Sequence, residues 1–227
     1  SNVSANTTAG FSIVTWTGTG PNATVGHGLG AVPKMIIVKD TDASDNWNVY
    51  HAGTGNDSHL HLNLNFAASG SSTYWQDTTP TSTVFSIGSD SAINASGNVF
   101  IAYCFADKTG YSKFGKYTGN GSAEGPFVYT GFKPAWVLTK RTDATGNWHI
   151  FDNKRPTTNP TDKPLNPNTN AAESDEGQGF DFHSNGFKIR ESGNFVNAGS
   201  SPFIYLAFAQ EPIVANIGTN GIPTTAK

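Results

Sequence analysis

The chain has 227 residues, a formal net charge of −3 and a pI near 6.0, a balance that gives no basic field and argues against a protein that tracks nucleic-acid phosphates. Its 36 % hydrophobic content suffices for one large core or two smaller ones, while 14 % charged residues against about 25 % in an average soluble domain leaves Asn, Ser, Thr and Gly to fill the polar positions. The single Cys104 excludes an intrachain disulfide framework, and no apolar run approaches the length of a membrane-spanning helix, so no membrane insertion is expected.

Residues 1–9 are Ser, Asn, Val, Ala and Thr, too polar to order themselves by burial, and are expected to form an N-terminal arm or linker. They carry neither the basic nor the apolar region of a secretion signal, and without a Met at position 1 the chain is expected to be processed or cut from something longer. A first strand follows in FSIVTW, with Phe11 and Ile13 on one face and Val14 and Trp16 on the other. Gly26, Gly28 and Gly30 mark a tight connection. Met35–Val38 is apolar on both faces, as in a central strand. Asn46–His51 is the next strand, with Trp47 and Val49 on one side. SHLHLNLN then alternates, which predicts Leu60, Leu62 and Leu64 inward and His59, His61, Asn63 and Asn65 outward. Short strands around Tyr74–Trp75 and Thr83–Ile87 precede the apolar run Val99–Phe105.

The same text is then written again. PKMIIVKDTDASDNWNVY recurs as PAWVLTKRTDATGNWHIF, matching Pro33 to Pro134, Asp42 to Asp143 and Trp47 to Trp148. Gly10-Phe11-Ser12 matches Gly110-Tyr111-Ser112, and Asn94-Ala95 matches Asn197-Ala198. Such self-similarity predicts a tandem duplication. The second copy differs mainly by a polar excursion from Lys154 to Gly179, expected at the surface. With no sustained helical period and about seven short strands per copy, the fold is predicted all-β. Two tandem, sequence-related antiparallel β-sandwich units of jelly-roll type are expected at 10–109 and 110–212, or one sandwich built from the duplication, followed by a C-terminal tail at 213–227.

Few constellations carry chemistry. His59 and His61 project from one face of a strand and could hold a metal ion, with His51 as the nearest third partner, but a solvated polar face explains them as well. Asp40, Asp42 and Asp45 share one turn and could ligate calcium; copy two keeps only Asp143, which fits an Asx-turn better. Glu173-Ser174-Asp175-Glu176 has the composition of a solvated charge run, and neither a nucleophile elbow nor a phosphate cradle appears, so no catalytic residue and no cofactor is assigned. Trp47 and Trp148 are expected in the core. Tyr74 and Trp75 lack counterparts in copy two, and beside Asn63 and Asn65 they are candidates for a glycan-binding surface, rings stacking on sugars while amides pair with hydroxyls.

The segments GFSIVTWTGTG, VGHGLGAVPKMIIVK, NVFIAYCFA, YTGNGSAEGPFVYTGFKPAWVLTKRTDATGNW and PFIYLAFAQEP resemble a family of repeat-built virion proteins of tailed, often marine, bacteriophages, labelled tail fibre or structural protein. The resemblance covers residues 10–217 and rests on packing motifs. It implies a non-enzymatic, β-rich particle component on the virion surface. Its partners would be other virion proteins, further copies of itself as a homo-oligomer, and a host-surface glycan. Two functions are compatible with it: a tail-fibre adhesin attaching to the host, or a capsid decoration or knob protein.

Overall fold

A computed structural model of the chain describes residues 1–173 and 179–211, and the backbone of Val214–Ala215 and Ile222–Pro223. The chain divides into two units, Ser1–Asp107 and Lys108–Lys227. Every strand pairing among the described residues is antiparallel, and the only helices there are two four-residue turns. The fold is all-β.

Unit 1 contains β1 (Asn2–Asn6), β2 (Phe11–Thr17), β3 (Ala23–Gly26), β4 (Met35–Asp40), β5 (Asn48–His51), β6 (Ser58–His61), β7 (Ser69–Gly70), α1 (Ser72–Trp75), β8 (Val84–Ile87), α2 (Ser91–Asn94) and β9 (Val99–Phe105). The main sheet runs β1-β2-β9-β4-β5-β6-β7, and β3 pairs with β8. Alternation places Val14 and Trp16 of β2, Ile36 and Val38 of β4 and Phe100, Ala102 and Cys104 of β9 in one core with Val25, Phe85 and Ile87 of the small pair. The residues expected as a free arm instead form β1, paired residue for residue with β2 from Asn2↔Thr15 to Asn6↔Phe11. Backbone pairing orders a segment whose side chains are all exposed, which a composition argument about burial does not anticipate.

Unit 2 contains β10 (Ser112–Thr118), β11 (Phe127–Tyr129), β12 (Pro134–Arg141), β13 (Trp148–Asp152), β14 (Phe180–His183), β15 (Gly186–Ile189) and β16 (Pro202–Ala209), then β17 (Val214–Ala215) paired with β18 (Ile222–Pro223). Its main sheet, β10-β16-β12-β13, repeats the order β2-β9-β4-β5, and a second sheet runs β11-β15-β14. Tyr117, Val137, Phe151, Phe203 and Tyr205 meet Val128, Phe180, Phe182 and Phe187 in a separate core. The polar excursion is tied down where it is described. Leu165 bridges to Ile150 and Thr161 to Phe180, while Arg155 pairs with Asp152 at 2.7 Å and Glu173 at 2.8 Å.

Two polar devices occur in both units, the first of them built on a buried asparagine. Asn94 accepts the Thr19 amide on Oδ1 and donates from Nδ2 to the carbonyls of Pro21 and Gly88. Asn197 likewise accepts the Asn120 amide and donates to Ser122 and Glu191. Glycine is needed beside each, because a Cβ on Gly18 would stand 2.1 Å from the Ala95 oxygen and one on Gly119 2.3 Å from that of Ala198. The second device is a side-chain clasp on each tryptophan amide. Asn63 Oδ1 accepts from Trp47 N–H and its Nδ2 donates to Asn46; Asn168 does the same for Trp148 and Asn147.

The two tryptophans nevertheless differ. Trp148 is 1 % exposed, whereas Trp47 is 36 % exposed and stacks on Tyr103 at 6.4 Å, contrary to the expectation that both are core. β5 begins one residue after Trp47, while Trp148 is the first residue of β13. Pro33 and Pro134 are both buried, just before β4 and at the start of β12. The Asx-turn expected at Asp42 and Asp143 belongs to Asp40, whose Oδ1 accepts the amides of Asp42 and Ala43. Asp42 reaches instead to the Val99 amide, and Asp143 pairs with Arg141 Nε at 2.6 Å.

Candidate functional site

The small sheet of unit 2 turns alternate side chains away from its core. On β11, Val128 points inward while Phe127 and Tyr129 are 47 % and 66 % exposed. The register Phe127↔Lys188 and Tyr129↔Gly186 on one side of β15, with Asp181↔Lys188 and His183↔Gly186 on the other, brings six side-chain positions onto one outer face. Gly186 has no room for a side chain, since a Cβ would lie 2.2 Å from the Val128 oxygen and 2.8 Å from Phe127 Cζ. The Phe127 ring thus covers Gly186 and meets the His183 ring edge-on at 5.8 Å. Tyr129 follows two residues along the strand, its ring near Gly131.

A polar rim borders these rings. Glu124 accepts from Lys188 Nζ at 2.7 Å and from Arg190 Nη1 at 3.1 Å, and Arg190 Nε reaches Asp181 at 3.2 Å. The Lys188 hydrogen bond and the Arg190 charge hold the Glu124 carboxyl below its usual range. The rim is therefore charged group by group but neutral in sum. Exposed rings beside fixed polar groups can stack on the C–H face of a flat ligand while donating to and accepting from its hydroxyls. The equivalent positions of β3 and β8 in unit 1 carry Thr24, Gly26, Ser86 and Val84, so the sandwich does not require aromatics there.

Unit 1 has a concavity of its own, about 370 Å³, where the end of β2 meets the β3–β8 pair. Trp16, Val25 and Ile87 provide apolar wall, and Thr17, Thr19 and Thr24 bring hydroxyls.

The residues singled out in the sequence lie elsewhere. Tyr74 and Trp75, at 8 % and 2 % exposed, sit on α1, capped by Ser71, and pack into the core with Tyr50. They present no free ring face. Asn63 is exposed but committed to the Trp47 clasp, and Asn65 is half-buried. β6 ends at His61, and His59 turns inward rather than outward, its ring parallel to Tyr74 at 3.6 Å and edge-on to His61 at 5.1 Å. Burial, then the neighbouring His61, pushes His59 down to about 4 against the pull of Asp90. No group of three or more His, Cys, Asp or Glu suited to a metal ion is assembled among the described residues, either at His59, His61 and His51 or at Asp40, Asp42 and Asp45. Glu173 is engaged by Arg155, and Ser174, Asp175 and Glu176 lie outside the described residues. Cys104 is fully buried, its thiol pushed up to about 12 by burial.

Phe127 and Tyr129 were not distinguishable in the sequence from other strand aromatics. Their signal is relative: EGPFVYTG places two rings where ATVG has a hydroxyl and a glycine. Residues 1–212 match a protein family described as a domain of unknown function (DUF7483). No curated protein and no solved structure matches the chain.

Proposed function

We propose that this chain, which belongs to the DUF7483 family, is a non-enzymatic attachment protein of a bacteriophage virion, a tail-fibre or adhesin component that holds host-surface glycans through the outer face of β11-β15-β14. The observation that carries this reading is the pair of exposed rings, Phe127 and Tyr129, set in a neutral polar rim on a sheet whose counterpart in unit 1 has none. The sequence resemblance to virion proteins supplies the setting. Single aromatic contacts are weak, and a homo-oligomer displaying the face several times would bind by multivalency.

A second reading, a capsid decoration or knob subunit, draws on β1. This edge strand of five exposed, uncharged residues pairs on one side only among the described residues, and it has none of the charges or prolines that usually guard an edge. It suits pairing with another particle protein.

The assembled protein applied to host cells and to a glycan array decides between them, with copy number and neighbours mapped on intact particles by electron microscopy. Attachment predicts retention on cells that falls at least about tenfold in Tyr129→Ala, the worth of one stacking contact multiplied by valency. Retention by neither cells nor array, with tens of copies packed over the head, would sink the adhesin reading in favour of the structural one.

A further inference from the structure

We propose that β1 is a dimerisation edge: it pairs antiparallel with β1 of a second copy of this chain, about a two-fold axis at Ser4, and joins the main sheets of the two copies into one. The inference rests on β1 alone and on neither reading of function.

The strand is written as its own partner. Read outward from Ser4 in either direction, Asn2-Val3-Ser4-Ala5-Asn6 gives an aliphatic residue and then an asparagine. A two-fold axis at Ser4 sets Val3 against Ala5 of the second copy, Asn2 against Asn6, and Ser4 against itself. A contact of this kind has to be self-complementary, and a charge on the axis would meet its own like. β1 has no charge to repel its copy.

The backbone is turned the right way. Ala106 N–H donates to the Gly10 carbonyl and Gly18 N–H to that of Asn98, so the even-numbered residues of β2 bond β9. The odd-numbered ones therefore bond β1, and with the register Phe11↔Asn6, Ile13↔Ser4 and Thr15↔Asn2 it is Asn2, Ser4 and Asn6 that answer them. Val3 and Ala5 aim their N–H and C=O groups at the open side. About an axis at Ser4 these are the groups that meet, Val3 of each copy exchanging bonds with Ala5 of the other. The two Ser4 residues then form the closer, non-hydrogen-bonded kind of pair, with Cα atoms about 4.5 Å apart.

The edge is also ordered in advance and left open. A Cβ on Gly28 would stand 2.8 Å from Val3 Cγ1 and 3.4 Å from the Ala5 methyl, so glycine there lets both side chains settle on the backbone, and Asn6 Oδ1 fixes the following turn by accepting the Ala9 amide. A strand already in place loses little freedom on pairing. Val3 still shows 43 % of its surface. Other edges are covered or short: Leu165 exchanges backbone bonds with Ile150 of β13, Thr161 does so with Phe180 of β14, and β7 has two residues.

The test is sedimentation equilibrium of the full chain from about 1 μM to about 1 mM. The mean mass is expected to rise with concentration from 24.0 kDa toward twice that value. Ser4→Lys sets two ammonium groups against each other on the axis, and Val3→Pro deletes an outward amide that β2 does not use; each should weaken association at least about tenfold. Exchange of the Ser4 and Asn6 amides, which bond β2, reports whether β1 stays on its own sheet, and where one variant loses it the other decides. An equimolar mixture of Ser4→Lys and Ser4→Glu should recover the dimer, because opposite charges then meet on the axis. Monomer at every concentration would overturn the proposal and leave the edge to a different particle protein. Self-association that the substitutions leave unchanged would overturn it as well, and so would a mixture no better associated than either variant alone.

Discussion

Asn94 and Asn197 show how much a single polar side chain can hold in a fold with few charges. Deleting Asn94 removes the acceptor of the Thr19 amide and the donor to the carbonyls of Pro21 and Gly88, the last of these bonds fully buried and the other two partly so. Asn94→Ala and Asn197→Ala are therefore each expected to cost about 3 kcal/mol, read from urea midpoints, since unsatisfied buried groups cost about 1–3 kcal/mol apiece and part of this is recovered by relaxation. A loss under about 1 kcal/mol would mean that the turns do not depend on these amides. The pairing of Asn94-Ala95 with Asn197-Ala198 is visible in the sequence, but its role is not, because the partners lie at Thr19 and Asn120, far away along the chain. The same limit explains the aromatics. Tyr74 and Trp75 look exposed among Ser, Thr and Asp, yet a four-residue helix too short to show a period turns both into the core. Phe127 and Tyr129 look like ordinary strand residues, and a period of two does not tell which face of their sheet is left exposed.

At the scale of elements, β6 and α1 meet through one stack. The alternation of SHLHLNLN identifies a strand near the right place and predicts Leu60 inward, which it is. It fails for His59 because a strand at the flank of a sandwich can be covered on both faces, here by Tyr74, and a period of two cannot report the second cover. That cover makes the junction sensitive to acid. The folded state binds the His59 proton far more weakly than the unfolded chain, with a pKa near 4 against 6.5, so the unfolded state holds more protons below pH 6.5. Stability contributed by neutral His59 is thus complete above about pH 6.5, falls as the pH drops toward 4, and is not lost further below that. His27 and His61 are displaced downward by burial and act in the same direction. Asp143, held low by Arg141, and Glu124, held low by Lys188, also lose their contribution on acidification, but the loss begins only near their unfolded values of 3.8 and 4.5 and runs on down through their lower folded ones. The interval from about pH 6.5 to about pH 5 therefore belongs to the histidines. His59→Phe, which keeps a ring against Tyr74, is expected to remove about 2 kcal/mol of the stability difference between about pH 7 and about pH 4.5 in urea titrations. An unchanged slope would place the acid sensitivity elsewhere.

Across the whole molecule, the strand order β2-β9-β4-β5 recurs as β10-β16-β12-β13, and each unit closes its own core. The repeated sequence makes this order readable in outline, because matching strands must find matching neighbours; the added strands β1, β6 and β7 at the two ends of the sheet and the tethered excursion have no repeat to announce them. Two cores joined by a short connection predict two cooperative units rather than one. The Asn keystones provide a way to perturb one unit at a time. In hydrogen exchange on the full chain, Asn94→Ala should speed the amides of β2, β4 and β9 together, by about a hundredfold for a loss near 3 kcal/mol, while those of β10, β12 and β16 keep their protection; Asn197→Ala should do the reverse. The prediction concerns linkage rather than stability alone, so a small effect confined to the right strands would still support it. Equal acceleration in both sets from either variant would instead make the chain a single cooperative body. In that case the two apolar cores would be regions of one fold, and the weak, repeated contacts expected of an attachment protein would have to come from association between chains rather than from units within one.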